Sequence, residues 1–414
     1  MEKTILHIDF DSFFASCEQQ DNSALRNKPL GVTAANGRTC IVASSREAKK
    51  LGIKTGSRTY EAFQLCPTLN LVSANFVKYF EVSKKFLKIC QNFSPSVELF
   101  SIDEVFIDIT LTAHLFGGVY NVIKAIKKRI REELGEYITV SIGISHNRLL
   151  AKLGSGINKP DGIFEITKNN LEAVYAKSKL TDVCGIGERI KLRLNKIGIY
   201  SLMQLRNSPI NVLKQEFGDF EANFLKNIGL GIDSDILSSF TSSPDVKSVG
   251  RNYCLPKNEY NKTVVLQNIY ELCEEVGIKL RRLEKKARTV GFYLGGDINL
   301  HGRKTYREYF NTGREMFNFI TNLVSINKFK YVRQIRIWAG GLEDTINTPL
   351  SLFNDFKKQK LIQTIDKINE RFGDHTIRNG FLLYADKLTT VPNGYMADKY
   401  ERTRLALENI SYSP

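Results

Sequence analysis

Patterns typical of zinc sites and disulfides are missing from this sequence of 414 residues. Its seven cysteines lie far apart, without a Cys-x-x-Cys pair, and its five histidines show no metal-ligand spacing. Such scattered cysteines are typical of buried, reduced thiols in a cytosolic protein. We therefore expect neither disulfides nor a zinc site.

Long apolar runs are missing as well. No stretch reaches the roughly 20 apolar residues that cross a membrane. Residues 1–4 lead directly into a strand and do not form the charged and apolar regions of a signal peptide. We expect a cytoplasmic protein with no membrane partner.

Acidic residues are few relative to basic ones. The chain has 59 lysines and arginines against 44 aspartates and glutamates, which gives a net charge of +15. A surplus of this size favours a polyanionic partner, nucleic acid first. A basic surface without a partner explains the charge equally well. The length of the chain indicates two to four domains.

The spacing of apolar residues predicts a β-α-β-β-α-β order in the first part of the chain. The elements are a strand at 5–9, a helix at 78–93, strands at 97–102 and 104–109, a helix at 118–134 and a strand at 138–144. This order is the ferredoxin-like plan, in which the first and third strands are antiparallel neighbours. Asp9, at the end of the first strand, is therefore expected beside Asp103 and Glu104.

Acidic motifs stand at both of these positions, DFD at 9–11 and SIDE at 101–104. Carboxylates that meet at one edge of a sheet repel one another unless a cation neutralises them. Their hard oxygen atoms suit Mg²⁺, and two such ions can stabilise both the attacking and the leaving oxygen of a phosphoryl transfer. Aspartates that only cap turns are the alternative interpretation.

The rest of the chain contains further segments of distinct character. Residues 11–74 form an insertion, residues 178–235 look helical, and the polar segment 236–246 is typical of a linker. A second β-α-β-β-α-β series, rich in Arg and Lys, follows, with strands near 247–254, 288–295, 303–310 and 331–339 and helices near 262–286 and 313–326. A tail with an amphipathic helix near 355–372 comes after it.

Four motifs together resemble those of one family. They are DFDSFFASCE at 9–18, SIDEVFIDI at 101–109, GIS at 143–145 and NKPDG at 158–162. In order and spacing they are similar to the Y-family (translesion) DNA polymerases of the bacterial UmuC and DNA polymerase IV type, and the tail is closer to the UmuC-type branch. The resemblance implies an α+β, right-hand polymerase fold with a ferredoxin-like palm. Its domains would be a palm (1–10 and 75–165), fingers (11–74), a helical thumb (166–235), a linker (236–246), a little finger (247–342) and a C-terminal tail (343–414).

The resemblance also implies a metal site. Asp9 and Asp103 would bind two Mg²⁺ ions, for which Mn²⁺ can substitute. The backbone carbonyl of Phe10 would add a ligand, and Glu104 would help to hold the ion at the primer end. Asp9, Asp103 and Glu104 are thus the expected catalytic residues.

Binding of the dNTP triphosphate is expected at the start of the first helix and at Lys159. Backbone N–H groups of residues 11–14 would contact the phosphates, and Lys159 would act as a point charge, although a solvated loop lysine is the alternative. In many family members a Tyr and an Arg, three residues apart, add contacts, and Arg46 and Lys49 occupy those places here. Arg46 lacks the neutral hydrogen bond of a phenol, so its contact stays open.

Two adjacent aromatic residues lie at the expected nucleotide site. Phe14 falls at the family's steric-gate position, where a ring against the sugar C2′ excludes a 2′-OH. A packed core aromatic is the alternative, and we favour that interpretation for Phe13.

DNA contacts are expected in the second half of the chain. Gly185 and Gly187, followed by a helix, resemble a helix-hairpin-helix whose backbone approaches a phosphate without reading sequence. Arg251, Arg288 and Arg303 of the basic second series would bind phosphates too, with a steep dependence on salt.

The segment Leu350-Ser351-Leu352-Phe353 resembles the peptide by which bacterial polymerases hold the β sliding clamp. Pro349 stands where Gln is usual, so a weaker clamp contact is expected. Packing of Leu350, Leu352 and Phe353 on the protein's own surface is the alternative.

The expected reaction is attack of a primer 3′-OH on the α-phosphate of a dNTP, with release of pyrophosphate. The resemblance implies low fidelity and translesion synthesis, as in DNA repair and the SOS response, and it leaves accessory subunits open. A nucleotide cyclase could share the palm and the two metals, but it would not need a helix-hairpin-helix or a basic second domain. A non-catalytic DNA-binding protein would not need Asp9, Asp103, Glu104 and Lys159 together.

Overall fold

The computed structural model describes residues 2–34, 40–233, 237, 246–326, 329–349, 356–373, 376–383 and 385. They belong to two compact units, one within residues up to 243 and one within residues 244–394. Among the residues described, no helix is both long and apolar enough to span a membrane.

The first unit combines strands and helices in one alternating series. Its strands are β1 (Ile5–Phe10), β2 (Leu30–Thr33), β3 (Ile41–Ser44), β4 (Asn70–Ser73), β5 (Val97–Leu99), β6 (Glu104–Asp108), β7 (Val140–Ser145) and β8 (Ile163–Glu165). Its α-helices are α1 (Phe13–Asp21), α2 (Arg46–Lys50), α3 (Thr59–Leu65), α4 (Phe76–Gln91), α5 (Val119–Glu133), α6 (Arg148–Ile157), α7 (Leu171–Lys177), α8 (Glu188–Lys196), α9 (Leu202–Asn207), α10 (Ile210–Phe217) and α11 (Asp219–Leu230). Short 3₁₀ turns lie at Ser23–Leu25, Ala113–Phe116 and Leu180–Asp182.

The central sheet of this unit has the strand order β5-β6-β1-β7-β8. With α4 and α5 it confirms the predicted β-α-β-β-α-β plan, because β1 lies antiparallel between β6 and β7. The apolar residues of α5 recur at helical spacing and are buried, namely Val122, Ile123, Ile126 and Ile130. The prediction missed β8, which pairs parallel to β7.

Helix α6 packs against β1 and β7. A glycine of the GIS motif allows this close approach, since a Cβ atom at Gly143 would lie 1.9 Å from the carbonyl oxygen of Ala151. Any side chain there would push α6 outward. The motif therefore sets the distance between the sheet and a helix that carries Lys152 and Ser155.

Two smaller parts complete the first unit. The segment between β1 and α4 contains a separate sheet of order β3-β2-β4, with Ile41, Ala48, Ile53 and Ala62 in its core. Helices α7 to α11 enclose a second core around Leu194, Leu202, Leu205 and Leu225.

The second unit repeats the β-α-β-β-α-β order. Its elements are β9 (Ser248–Glu259), α12 (Lys262–Arg282), β10 (Lys285–Gly296), β11 (Asn299–Phe310), α13 (Gly313–Ile326), β12 (Val332–Asp344) and α14 (Phe356–Phe372), with 3₁₀ turns at Thr345–Asn347 and Gly380–Leu382. The sheet order is β11-β10-β12-β9. Helix α12 was expected near 262–286, but it ends at Arg282. It ends there because Glu284 adopts a positive φ of 53° and turns the chain into β10.

The tail helix α14 docks on α12 of the same unit. The guanidinium group of Arg281 donates to both carboxylate oxygens of Asp366, at 2.6 and 2.7 Å. The segment after α14 adds a second ion pair, between Arg378 and the buried Glu271, at 3.2 Å.

Candidate active site

The pairing of β1 with β6 brings the acidic motifs together. Asp9 lies directly opposite Glu104 in the antiparallel register. The backbone N–H of Phe10 donates to the carbonyl of Asp103 at 3.1 Å. Residues that are far apart in sequence therefore form one carboxylate cluster at the end of β1.

The charges of this cluster are poorly compensated by the protein. Burial raises the pKa of Asp9 to about 6, and the nearby Glu104 and Asp103 add to the effect. Burial raises the pKa of Asp103 as well. The ammonium of Lys159 lies 2.9 Å from Asp9 Oδ2, and its charge offsets part of the rise in the pKa of Asp9. A cation at this place would be stabilised strongly.

Glu104 has a different environment. Burial would raise its pKa, but a hydrogen bond from His7 and the charge of Lys152 outweigh burial and lower the pKa to about 2. His7 Nε2 lies 3.0 Å from Glu104 Oε2, and the same oxygen accepts from Lys152. His7 is completely buried, and its Nδ1 lies 2.7 Å from the hydroxyl of Ser155. Glu104 is thus ionised and held in place through one of its oxygens.

Asp11, the second aspartate of the DFD motif, is held by hydrogen bonds to both of its carboxylate oxygens. Asp11 is 4% exposed, and both carboxylate oxygens accept hydrogen bonds. The hydroxyl groups of Thr139 and Ser141 donate to it at 2.6 and 2.8 Å, and the backbone N–H of Asp161 donates at 2.8 Å. Asp11 therefore ties the end of β1 to the start of β7 and to the loop that carries Lys159.

Three cations, Arg46, Lys49 and Lys159, line a cavity of about 1180 Å³ together with Asp9 and Asp103. Arg46 donates to the hydroxyl of Thr139 and lies 3.8 Å from Asp11 Oδ2. The ammonium of Lys49 donates to the hydroxyl of Ser12 at 2.8 Å. Burial and the charge of Lys159 lower the pKa of Lys49. This wall of the cavity is therefore suited to an anion.

The start of α1 forms another part of the cavity wall. Ser12 precedes the helix in a left-handed conformation. The backbone N–H of Asp11 already donates to the carbonyl of Thr139 at 2.9 Å. The expected set of N–H donors at 11–14 is therefore too broad, and residues 12–14 remain as candidates for phosphate binding.

The two adjacent phenylalanines are both buried but differ in their contacts. Phe13 stacks on Phe10, with ring centroids 4.7 Å apart. Phe14 stacks on Tyr79 at 4.3 Å and meets Phe76 edge to face. Both rings border the cavity. Tyr79 and Phe76 hold the ring of Phe14 in one orientation, as a steric barrier requires.

The candidate DNA contacts lie in different settings. Gly185 has a positive φ of 102°, and Gly187 precedes α8. In the second unit, Arg288 and Arg303 are exposed. Arg251 is partly buried and donates to Glu275 at 2.8 Å, so a phosphate would have to compete with that carboxylate. Leu350, Leu352 and Phe353 lie outside the described residues.

Comparison with known proteins matches this geometry to a family. Residues 8–156 match the model of the impB/mucB/samB family. Over 400 residues the chain is 31% identical to the DNA polymerase IV of Acetivibrio thermocellus, which covers 92% of this chain and 98% of that protein. The chain belongs to the Y family of DNA polymerases. The DNA polymerase IV of Alkaliphilus oremlandii is 30% identical, with 92% of this chain and all of that protein covered.

A solved structure agrees with this family. A chimera of the Y-family polymerases Dbh and Dpo4 superposes with a TM-score of 0.68, at 25% identity, over 82% of this chain and 98% of that chain. The expected α+β polymerase fold is thus confirmed. The protein is a metal-dependent, DNA-directed DNA polymerase of the translesion class, with primer-template DNA and dNTPs as substrates. Neither a nucleotide cyclase nor a non-catalytic DNA-binding protein fits this family.

Sequence reasoning missed three residues of the polymerase site. His7 and Lys152 both contact Glu104, and no role was predicted for the side chain of Asp11, which links separate segments. The sequence did contain a signal for His7. Residues two apart on a strand share a face, so His7 must lie on the same face of the sheet as Asp9. Nothing in the sequence indicated Lys152, whose role depends on how α6 packs.

Proposed function

We propose that Asp9, Asp103 and Glu104, with the carbonyl of Phe10, hold two Mg²⁺ ions during translesion synthesis. The donor set fits, because its side-chain ligands are all hard carboxylate oxygens. The raised pKa values of Asp9 and Asp103 support the proposal, since poorly compensated carboxylates gain most from a cation. When bound, the ions, or Mn²⁺ in their place, would stabilise the attacking and leaving oxygens of nucleotide transfer.

Within this site, Asp103 already accepts a hydrogen bond from a local partner. The hydroxyl of Ser101 donates to Asp103 Oδ1, whereas oxygen atoms of Asp9 and Glu104 and a ring nitrogen of His7 lie within 4.8 Å of one another. His7 is next to the cluster but is already bound to Glu104. Its proposed role is to orient Glu104, so that the second carboxylate oxygen faces the ion.

The triphosphate of the dNTP would bind along the cationic wall. Arg46, Lys49 and Lys159 line the same cavity as Asp9 and Asp103, so three positive charges are available to the phosphates. Lys159, which pairs with Asp9, would then pair with the triphosphate. Backbone N–H groups of residues 12–14 would add hydrogen bonds.

Phe14 is proposed as the steric gate and Phe13 as its packed neighbour. A ring fixed between Tyr79 and Phe76 cannot move aside for a 2′-OH without breaking two aromatic contacts. Each such contact contributes about 0.5–1.5 kcal/mol. The barrier against ribonucleotides would therefore be stiff.

The domain roles are proposed as palm (1–10 and 75–165), fingers (11–74), thumb (166–235), linker (236–246), little finger (247–342) and tail (343–414). Gly185, Gly187, Arg288 and Arg303 would contact DNA phosphates. Arg251 would do so only if it leaves Glu275. Leu350, Leu352 and Phe353 are proposed to bind the sliding clamp, and the polymerase is proposed to act in the cytoplasm.

The observation that carries the proposal is one cavity lined both by Asp9 and Asp103 and by the cations Arg46, Lys49 and Lys159. Primer extension on plain and lesion-bearing templates tests it directly. The protein should add dNTPs in the presence of Mg²⁺, and Asp9→Ala should abolish addition. Loss of activity in Asp9→Ala with unchanged DNA binding would assign Asp9 to chemistry, whereas near-normal extension would refute the metal site.

A further inference from the structure

A buried tyrosine lies directly behind the ring of Phe14. Phe14 borders the cavity, whereas Tyr79, on which it stacks, is completely buried. The two rings are nearly parallel, with an angle of 13° between their planes and 4.3 Å between their centroids. Tyr79 thus supports Phe14 on the side away from the cavity.

Helix α1 brings a second residue to the same tyrosine. Glu18 follows Phe14 by four positions, so the two side chains share one face of α1, about one turn apart. The hydroxyl of Tyr79 donates to Glu18 Oε1 at 2.5 Å. The phenol therefore spans one helical turn, with its face on Phe14 and its hydroxyl on Glu18.

The other carboxylate oxygen of Glu18 is held by a lysine. The ammonium of Lys78 lies 2.8 Å from Glu18 Oε2 and also 2.8 Å from Asp21 Oδ2. The side chains of Glu18 and Lys78 are only 13% and 21% exposed, so little water competes for their contact. Both oxygens of Glu18 are thus engaged, and the carboxylate is a fixed acceptor for the phenol.

The hydroxyl of Tyr79 is bound firmly to this acceptor. Burial and the hydrogen bond to Glu18 raise the pKa of Tyr79, so the hydroxyl stays protonated and donates throughout the neutral pH range. Rotation of the ring away from Phe14 would break this hydrogen bond as well as the stack. It would also leave a buried donor without an acceptor, which is unfavourable. The orientation of Tyr79 is therefore set by Glu18 and not by packing alone.

We propose that Glu18 is a positioning residue for sugar selection, acting through Tyr79 on the ring of Phe14. The inference rests on the proposed function, in which Phe14 excludes the 2′-OH of a ribonucleotide. Glu18 does not border the cavity, and its two oxygens face Tyr79 and Lys78 instead. Its effect is to keep Tyr79 in place, since Phe14 can exclude a 2′-OH only if the ring behind it does not move.

Single-nucleotide incorporation by the intact chain tests the proposal. The readout is sugar discrimination, the ratio of kcat/KM for a dNTP to kcat/KM for the matching ribonucleotide. Tyr79→Phe keeps the stacked ring and removes only the hydroxyl. It should lower discrimination about tenfold, near the lower end of what a hydrogen bond to a charged group contributes. The change should come from a higher kcat/KM for ribonucleotides, whereas a general structural defect would lower both values together.

Substitutions of Glu18 provide an independent measurement. Glu18→Ala removes the acceptor and should lower discrimination as Tyr79→Phe does, whereas Glu18→Gln should restore most of it, because the amide oxygen can accept from the phenol. Asp21→Asn is the matched control, since Asp21 contacts the same lysine, and it should discriminate like the parent. Tyr79→Phe removes a single oxygen atom, so it decides the question even if Glu18→Ala does not fold. Parental discrimination in Tyr79→Phe or in a folded Glu18→Ala, or an equal loss in Asp21→Asn, would refute the proposal.

A double variant shows whether Tyr79 acts through Phe14. In a Phe14→Ala background, Tyr79→Phe should change discrimination no further, because the ring that Tyr79 supports is gone. A further tenfold loss would mean that Tyr79 acts elsewhere and would overturn the proposal. The single variant Phe14→Ala separates the two hypotheses, since parental discrimination there would contradict the proposed gate itself. Lost discrimination in Phe14→Ala, with parental discrimination in Tyr79→Phe, would contradict only the role of Glu18.

Discussion

Replacing Asp9 by Asn should have opposite effects on activity and on the stability of the metal-free polymerase. Burial and two neighbouring carboxylates raise the pKa of Asp9 from 3.8 to about 6. This difference corresponds to about 3 kcal/mol of destabilisation at pH 8. The value is an upper limit, because the side chain of Asp9 remains 20% exposed. Asp9→Asn removes the charge but keeps the shape.

The expected gain in the stability of Asp9→Asn depends on pH in a defined direction. A raised pKa means that the folded protein favours the protonated carboxyl, so the cost appears as pH rises through about 4 to 6. The stabilisation in Asp9→Asn should therefore be largest at pH 8 and only about 1 kcal/mol near pH 4.5. For a unit of this size, 3 kcal/mol corresponds to a rise in Tm of roughly 6–12 °C.

Differential scanning calorimetry in EDTA measures this effect, and primer extension with Mg²⁺ measures the loss of activity. Millimolar Mg²⁺ should raise the Tm of the parent more than that of Asp9→Asn, since the variant has lost a ligand. A lower Tm for the variant at pH 8 in EDTA, or an equal gain at both pH values, would refute the reasoning.

Asp11→Asn is the matched control from the same motif. The amide would present N–H donors where Thr139, Ser141 and the N–H of Asp161 already donate to the carboxylate. A buried donor without an acceptor costs about 1–3 kcal/mol. This variant should therefore lose stability in EDTA at both pH values.

Three further predictions concern other parts of the site. Asp103→Ala should reduce extension by about three or more decades while DNA binding, measured by fluorescence anisotropy, stays near that of the parent; near-normal extension would argue against two metals. Phe14→Ala should raise ribonucleotide incorporation sharply in single-nucleotide assays and spare much of the dNTP activity, and unchanged discrimination would mean that Phe14 is only a core residue. Leu352→Ala combined with Phe353→Ala should reduce extension only in the presence of the sliding clamp; an equal loss without the clamp would indicate a structural role.

The sequence alone was sufficient for the chemistry and the topology of the palm. The DFD and SIDE motifs supplied the carboxylates, and the apolar periods of β1, α5 and β7 predicted the order of the sheet. These features are local, because strand period, helical spacing and motif order depend on neighbouring residues. The antiparallel plan then placed Asp9 beside Glu104 without coordinates.

Tertiary structure decided which polar residues are available and which are already engaged. Asp11 and Arg251 are ordinary charged residues in the sequence, but in the fold Asp11 is saturated with hydrogen bonds and Arg251 donates to Glu275. Glu104 owes its low pKa to a hydrogen bond from His7 on the neighbouring strand and to the charge of Lys152 on α6. Hydrogen bonds between distant segments arise only from packing, and so does the choice of the face toward which a strand residue points. The indole of Trp338 is a further case, because it lies flat only since Gly291 is its cross-strand neighbour.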